Sequence, residues 1–75
     1  MKAEDIVAEI EAQRRRLLME RAGTVVLYLG IKEFLEMQNH FPPYEFEFDD
    51  GKYFFRGIEV FEVNTNQPHI RMCHK

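Results

Sequence analysis

His69, Cys73 and His74 lie close together in the sequence, and they are the residue types that ligate a transition metal or form a thiolate nucleophile with its base. A zinc centre takes about four ligands, commonly as two closely spaced pairs, so His40 or a carboxylate would have to supply the second pair. His69 and Cys73 share one face of an extended segment but stand ~13 Å apart along it, too far for one ion. The spacing favours a polar strand edge, and no metal or other cofactor is expected. Cys73 is the single cysteine, which forbids an internal disulfide. No local signature pairs it with His40 or His69 as nucleophile and base, so it reads as small apolar filler. Serine is absent from the chain, which removes one class of nucleophilic enzyme. The residues argue against an enzyme.

Charge offers two further candidates. Arg14, Arg15 and Arg16 form the one basic cluster. On a helix they splay over roughly 200°, with Glu11 placed to answer Arg15 and Glu20 to answer Arg16. Arg14 is the one suited to an anionic or acidic contact, because it interrupts an apolar stripe. Glu45, Glu47, Asp49, Asp50, Glu59 and Glu62 form an acidic surface. Carboxylates alternating along a strand point to water and lack the apolar cleft that a hydrolytic pair needs. Such a surface suits a basic partner. The net charge of −3 carries no chain-wide basic footprint, which argues against nucleic acid.

These residues are positioned by one small domain over 1–75, an N-terminal helix (1–22) followed by a strand–helix–hairpin sheet unit (23–75). A domain of this size buries only about 60% of its extended-chain surface and needs a dense core or a partner. Acids interleaved between Lys2 and Glu11 do not read as a signal peptide, and the run Ala22–Ile31 is too short to span a bilayer. The expected setting is the cytoplasm, without a membrane partner.

Residues 3–22 contain good helix formers and neither Gly nor Pro, with Glu4 and Asp5 in the first turn, Arg21 in the last and Gly23 as the stop. The stripe Ala3, Ile6, Val7, Ile10, Leu17, Leu18 is interrupted by Gln13 and Arg14. Thr24–Leu29 is a β-branched apolar run, expected to be a central strand covered on both faces. Residues 31–38 form a short helix with Ile31, Phe34 and Leu35 on one side, ended by Asn39 and Pro42-Pro43. At Gly57 either a bulge re-aims the chain or the following strand is covered on both faces. Ile58 and Val60 then face one way, Phe61 and Val63 the other. Ile70 and Met72 alternate with polar residues in a last strand.

The sharpest pattern is residues 44–56. Tyr44, Phe46 and Phe48 alternate with Glu45, Glu47 and Asp49, and Asp50-Gly51 is a two-residue hairpin turn. Pairing across it sets Asp49 against Lys52, Phe48 against Tyr53, Phe46 against Phe55 and Glu45 against Arg56. One face is aromatic and inward, the other charged and wet; a slip by one residue would destroy both. Lys52–Arg56 is similar in composition to the aromatic strand of RNA-recognition sheets, but Tyr53 and Phe55 fall on the core face and only Phe54 on the outer one, beside Glu47. The fold expected is α+β: α-β-α-β-β-β-β, a long helix on a small antiparallel-dominated sheet.

A helix of ~30 Å is about as long as such a body is wide. One end of its stripe, Ile6/Val7/Ile10 or Leu17/Leu18, is therefore expected to stay uncovered and to form a homo-oligomer, with Arg14 or Gln13 setting register. Thr24–Gly30, the short helix and Phe55–Val63 with its Gly-Ile-x-Val order resemble a strand–helix–hairpin unit of tailed-phage capsid proteins, over about two-thirds of the chain. That resemblance implies a small phage or prophage protein, acting either as an inhibitor of a host defence protein in the host cytoplasm or as a virion accessory. The function expected is non-enzymatic protein binding, through Arg14, Leu17, Leu18 and Arg21 on the helix and Glu47, Asp49 and Asp50 on the hairpin. A binder of small anions or nucleotides at an oligomer seam is the alternative.

Overall fold

A computed structural model describes residues 2–75; position 1 of the N-terminal segment lies outside it. The order is α1 (Ala3–Glu20), β1 (Val25–Gly30), α2 (Ile31–His40), β2 (Phe46–Asp49), β3 (Lys52–Phe55), β4 (Ile58–Val63) and β5 (Ile70–His74). The fold is α+β with a five-stranded sheet in the order β2-β3-β4-β1-β5. Among the described residues only the β1–β4 pair is parallel.

The hairpin has the register that its alternation dictates: Asp49 opposite Lys52, Phe48 opposite Tyr53, Phe46 opposite Phe55. Asp50 and Gly51 have φ of 51° and 75°, the positive values that a two-residue turn needs to match strand twist. Gly57 proves to be neither a bulge nor a mark of double burial. Arg56 and Gly57 both have positive φ (51° and 81°) and join Phe55 directly to Ile58, a second tight turn. β2, β3 and β4 are thus a meander. Arg56 pays about 1–2 kcal/mol for a left-handed conformation, and its side chain is held beside Glu45, Glu11 and the Phe55 ring.

Both helices lie on one face of the sheet. Ile6 and Ile10 of α1 and Phe34 and Met37 of α2 pack onto Leu27, Leu29, Phe55, Val60 and Met72. β1 is an interior strand, as its apolar run implies, although β4 is the middle one, and it is not covered twice. Val25, Leu27 and Leu29 face the helices; Val26 and Tyr28 face the other side, where no helix lies. Ile58 and Val60 face the core and Phe61 and Val63 the open side, as expected.

Other expectations need correction. α1 ends at Glu20, and Arg21 is already extended (φ −166°), so no base sits in its last turn and Gly23 is not its immediate stop. α2 continues to His40 and buries Met37, while Leu35 is 48% exposed. Tyr44 lies in a turn before β2, where Glu45 and Phe46 both donate their N–H to the Pro42 carbonyl. Tyr44 and Phe48 are not core filling: they are 78% and 62% exposed, against 6% for Phe46 and 0% for Phe55.

Candidate interaction surfaces

The residues singled out on the helix and on the hairpin lie toward opposite edges of the sheet. Leu17 is near β5, since its carbonyl lies 3.1 Å from the His74 Nε2 and accepts that proton in the matching tautomer. Glu47 and Asp49 are on β2, at the far edge. They do not form one site.

On α1, Ile6 and Ile10 are fully buried, so the uncovered end of the stripe is the second one. Leu17 is half-buried, Leu18 is 42% and Met19 82% exposed, and Arg21 is exposed beyond them. Gln13, not Arg14, interrupts the buried face, and its amide is engaged within its own chain. Its side-chain amide acts as a peptide group against the outer edge of β5: Oε1 accepts the Met72 N–H at 2.7 Å, and Nε2 donates to the Ile70 carbonyl at 2.8 Å. Glu9 accepts a second bond from Nε2 at 2.9 Å. Arg14 points outward. Glu11 pairs with Arg14 at 3.9 Å and with Arg56 at 3.8 Å rather than with Arg15, and Arg56 reaches Glu45 at 4.0 Å. Arg14 is thus already met by an acid, which weakens it as an anion ligand.

The hairpin surface is different. Arg56 N–H donates to the Glu45 carbonyl, so 45/56, 47/54 and 49/52 are the hydrogen-bonded pairs of the ladder. The N–H and C=O of Phe46 and Phe48 therefore point away from β3. Phe46 N–H is taken by Pro42. Phe48 has no strand beyond it, because β2 is the edge. The Phe48 ring packs on one side against Tyr53, with centroids 4.8 Å apart, and is otherwise in water. Phe48 borders an open groove of about 580 Å³, lined also by Gln38, Phe41, Pro43, Phe46 and Tyr53 and by the two acidic residues Glu47 and Asp49. Glu47, Asp49 and Asp50 are all exposed; Glu47 and Asp49 stand on the opposite face of the strand from the rings.

The open side of the sheet is a surface that sequence reasoning missed. Tyr28 and Phe61 stack there, 5.3 Å between centroids and 23° between planes, with Val26, Phe54, Val63 and Cys73 around them. The signal was present in the alternation of β4, where Phe61 and Val63 oppose Ile58 and Val60. The apolar second phase of β1 suggested a covering layer, and 75 residues do not supply one.

The metal-type residues diverge. Cys73 lies on the open face opposite Val26, while His74 turns to the helix side and bonds α1. Among the described residues no group of three or more His, Cys, Asp or Glu could hold a metal ion. A buried carboxylate, Glu33, was not singled out from sequence. It sits in the first turn of α2, where the helix dipole favours an anion, and accepts the His69 N–H at 3.2 Å. It ties the β4–β5 connection to the first turn of α2, a structural task. No helix among the described residues is long and apolar enough to cross a membrane. Neither the protein-family models, nor the curated proteins, nor the solved structures compared with this chain gave a match, so no family is assigned to it.

Proposed function

We propose that this chain is a non-enzymatic protein-binding module that takes an extended segment of a partner protein onto the outer edge of β2. One observation carries the reading: Phe48 directs its N–H and C=O to no strand, while its exposed ring stands at an open groove that Phe41, Phe46 and Tyr53 line together with Glu47 and Asp49. An edge of this kind adds a strand by main-chain hydrogen bonds and reads alternate side chains. The ring face selects apolar residues. Glu47 and Asp49 on the other face, with Asp50 at the turn, select basic ones. A second copy of β2 is a poor occupant, because antiparallel self-pairing sets these acids against each other.

The tailed-phage resemblance extends the proposal to a phage-encoded inhibitor that occupies a host defence protein in a one-to-one complex. The test is affinity capture from the native cell with mass spectrometry, repeated with Phe48→Lys and with Glu47→Lys/Asp49→Lys, each checked for an unchanged circular dichroism spectrum. The expected outcome is one enriched protein that both variants lose. A captured protein retained by both variants would refute the β2 edge, and enrichment in purified virions would place the chain among virion accessories instead.

A further inference from the structure

We propose that the open face of the sheet is the seam of a two-fold homodimer, in which a second copy packs sheet on sheet with its β5 over β2 and its β2 over β5. This goes beyond strand addition at the edge: it shares Glu47 and Asp49 with that reading, while Phe61, Tyr28 and Arg71 are its own. The face is apolar in the middle, where Tyr28 and Phe61 stack with Phe54 and Val26 beside them. An aromatic surface of this sort, rimmed by charge, marks an interface.

Its charges are arranged by strand. The β2 flank presents Glu47 and Asp49, and the β5 flank presents Arg71, with Lys75 just beyond the strand end. β4 is the middle strand, and β2 and β5 each lie two strands from it, about 9.5 Å on either side. A two-fold axis along β4, midway between sheets packed about 10 Å apart, exchanges the two flanks. Asp49, Lys52, Phe61, Tyr28 and Arg71 form one cross-strand row. That axis puts Arg71 of each copy over Asp49 of the other, Lys52 over the Tyr28 ring, and Phe61 on Phe61. The first is a salt bridge made twice, the second a cation–π contact made twice. The two Glu59 carboxylates approach the axis, but each is already countered by its own Lys75 at 3.8 Å. An axis across the strands would instead set Arg71 on Arg71, so the charge pattern selects the first arrangement. A nucleic acid is the poorer occupant, because Glu47, Asp49 and Glu59 repel phosphate. α1 is the poorer seam, because Ile6 and Ile10 are spent in the core and only its last turn is uncovered.

Sedimentation equilibrium of the full chain from 1 to 200 µM tests this. The expected result is a dimer that Phe61→Asp converts to monomer, while Met19→Lys leaves it intact. Because Phe61→Asp could disturb the fold, a charge exchange serves as the second test. Arg71→Asp and Asp49→Arg should each weaken the dimer roughly tenfold or more, and the double variant should recover it. A wild-type monomer throughout that range would overturn the proposal. So would a dimer that survives Phe61→Asp, and so would single charge variants that weaken it without recovery in the double.

Discussion

The two edges of the sheet meet the same problem in opposite ways. At β5 the outward Ile70 carbonyl and Met72 N–H are closed by the Gln13 amide, at 2.8 and 2.7 Å, and α1 lies alongside. At β2 the outward groups of Phe48 meet no strand, and two exposed rings and three acids surround them. An unpaired edge invites another chain. The β5 edge is sealed from within, by one residue of a helix that covers the core anyway. The β2 edge is protected only against its own copies, by like charge, and stays open to a basic segment. The contrast is the ground for the proposed binding edge: the sealed edge serves stability, and the open edge is the one left for the partner that we propose.

The largest effect expected is at the sealed edge. Gln13→Ala removes both bonds and leaves a buried N–H and a carbonyl unpaired, a loss of about 2–4 kcal/mol by urea denaturation. Gln13→Glu sharpens the point. It keeps an acceptor for Met72 but sets a carboxylate against the Ile70 carbonyl and Glu9, so it should be nearly as destabilising although it is close to isosteric. A glutamate variant as stable as wild type would show that Nε2 contributes nothing.

Next comes Gly30, where the chain entering β5 crosses the end of β1. A Cβ there would sit 2.6 Å from Glu33 Oε1, 3.1 Å from the Gln67 carbonyl oxygen and 3.3 Å from His69 Cβ. Gly30→Ala should cost about 1–3 kcal/mol, because one of the three neighbours is backbone and cannot swing away. Thermal unfolding measures it.

At the open edge the expected effects on stability are small. Phe48→Lys should stay within about 0.5 kcal/mol of wild type, since the ring is mostly in water, while strand addition is lost. A large destabilisation would break the contrast, because it would make Phe48 a core residue. The smallest effect is expected for Arg56→Gly. Release of the positive φ offsets the loss of exposed contacts to Glu11 and Glu45, each worth about 0–1 kcal/mol. A net change within about 0.5 kcal/mol by denaturation would confirm that the second turn, like the first, needs only backbone freedom.

Local signals were legible, and signals that needed a distant partner were not. Asp50-Gly51 and the alternation from Phe46 to Phe55 set the hairpin before any fold was known. Arg56-Gly57 carried the same kind of signal, but arginine is a rare first residue for such a turn, so Gly57 reads from sequence as a bulge or as the start of a strand covered on both faces. Tyr44 and Phe48 had the right phase for the core and failed for a reason of extent: they lie past the area that the helices cover. Gln13 looked like a flaw in an apolar stripe because its partners are 57 and 59 residues away. Of the proposed contact residues, Glu47, Asp49 and Asp50 were readable as an exposed acidic edge. Arg14 was misplaced onto the stripe, because a drift of one position around a helix turns a side chain by ~100°.

What the sequence by itself determined is therefore the set of elements and the pairing of β2 with β3, since both follow from neighbours along the chain. Only the tertiary structure decided that β1 runs parallel to β4, that β5 is sealed by Gln13 and that one face of the sheet stays bare. Those outcomes depend on where two helices can lie on five strands, and the area they cover is a property of the assembled layers, not of any segment.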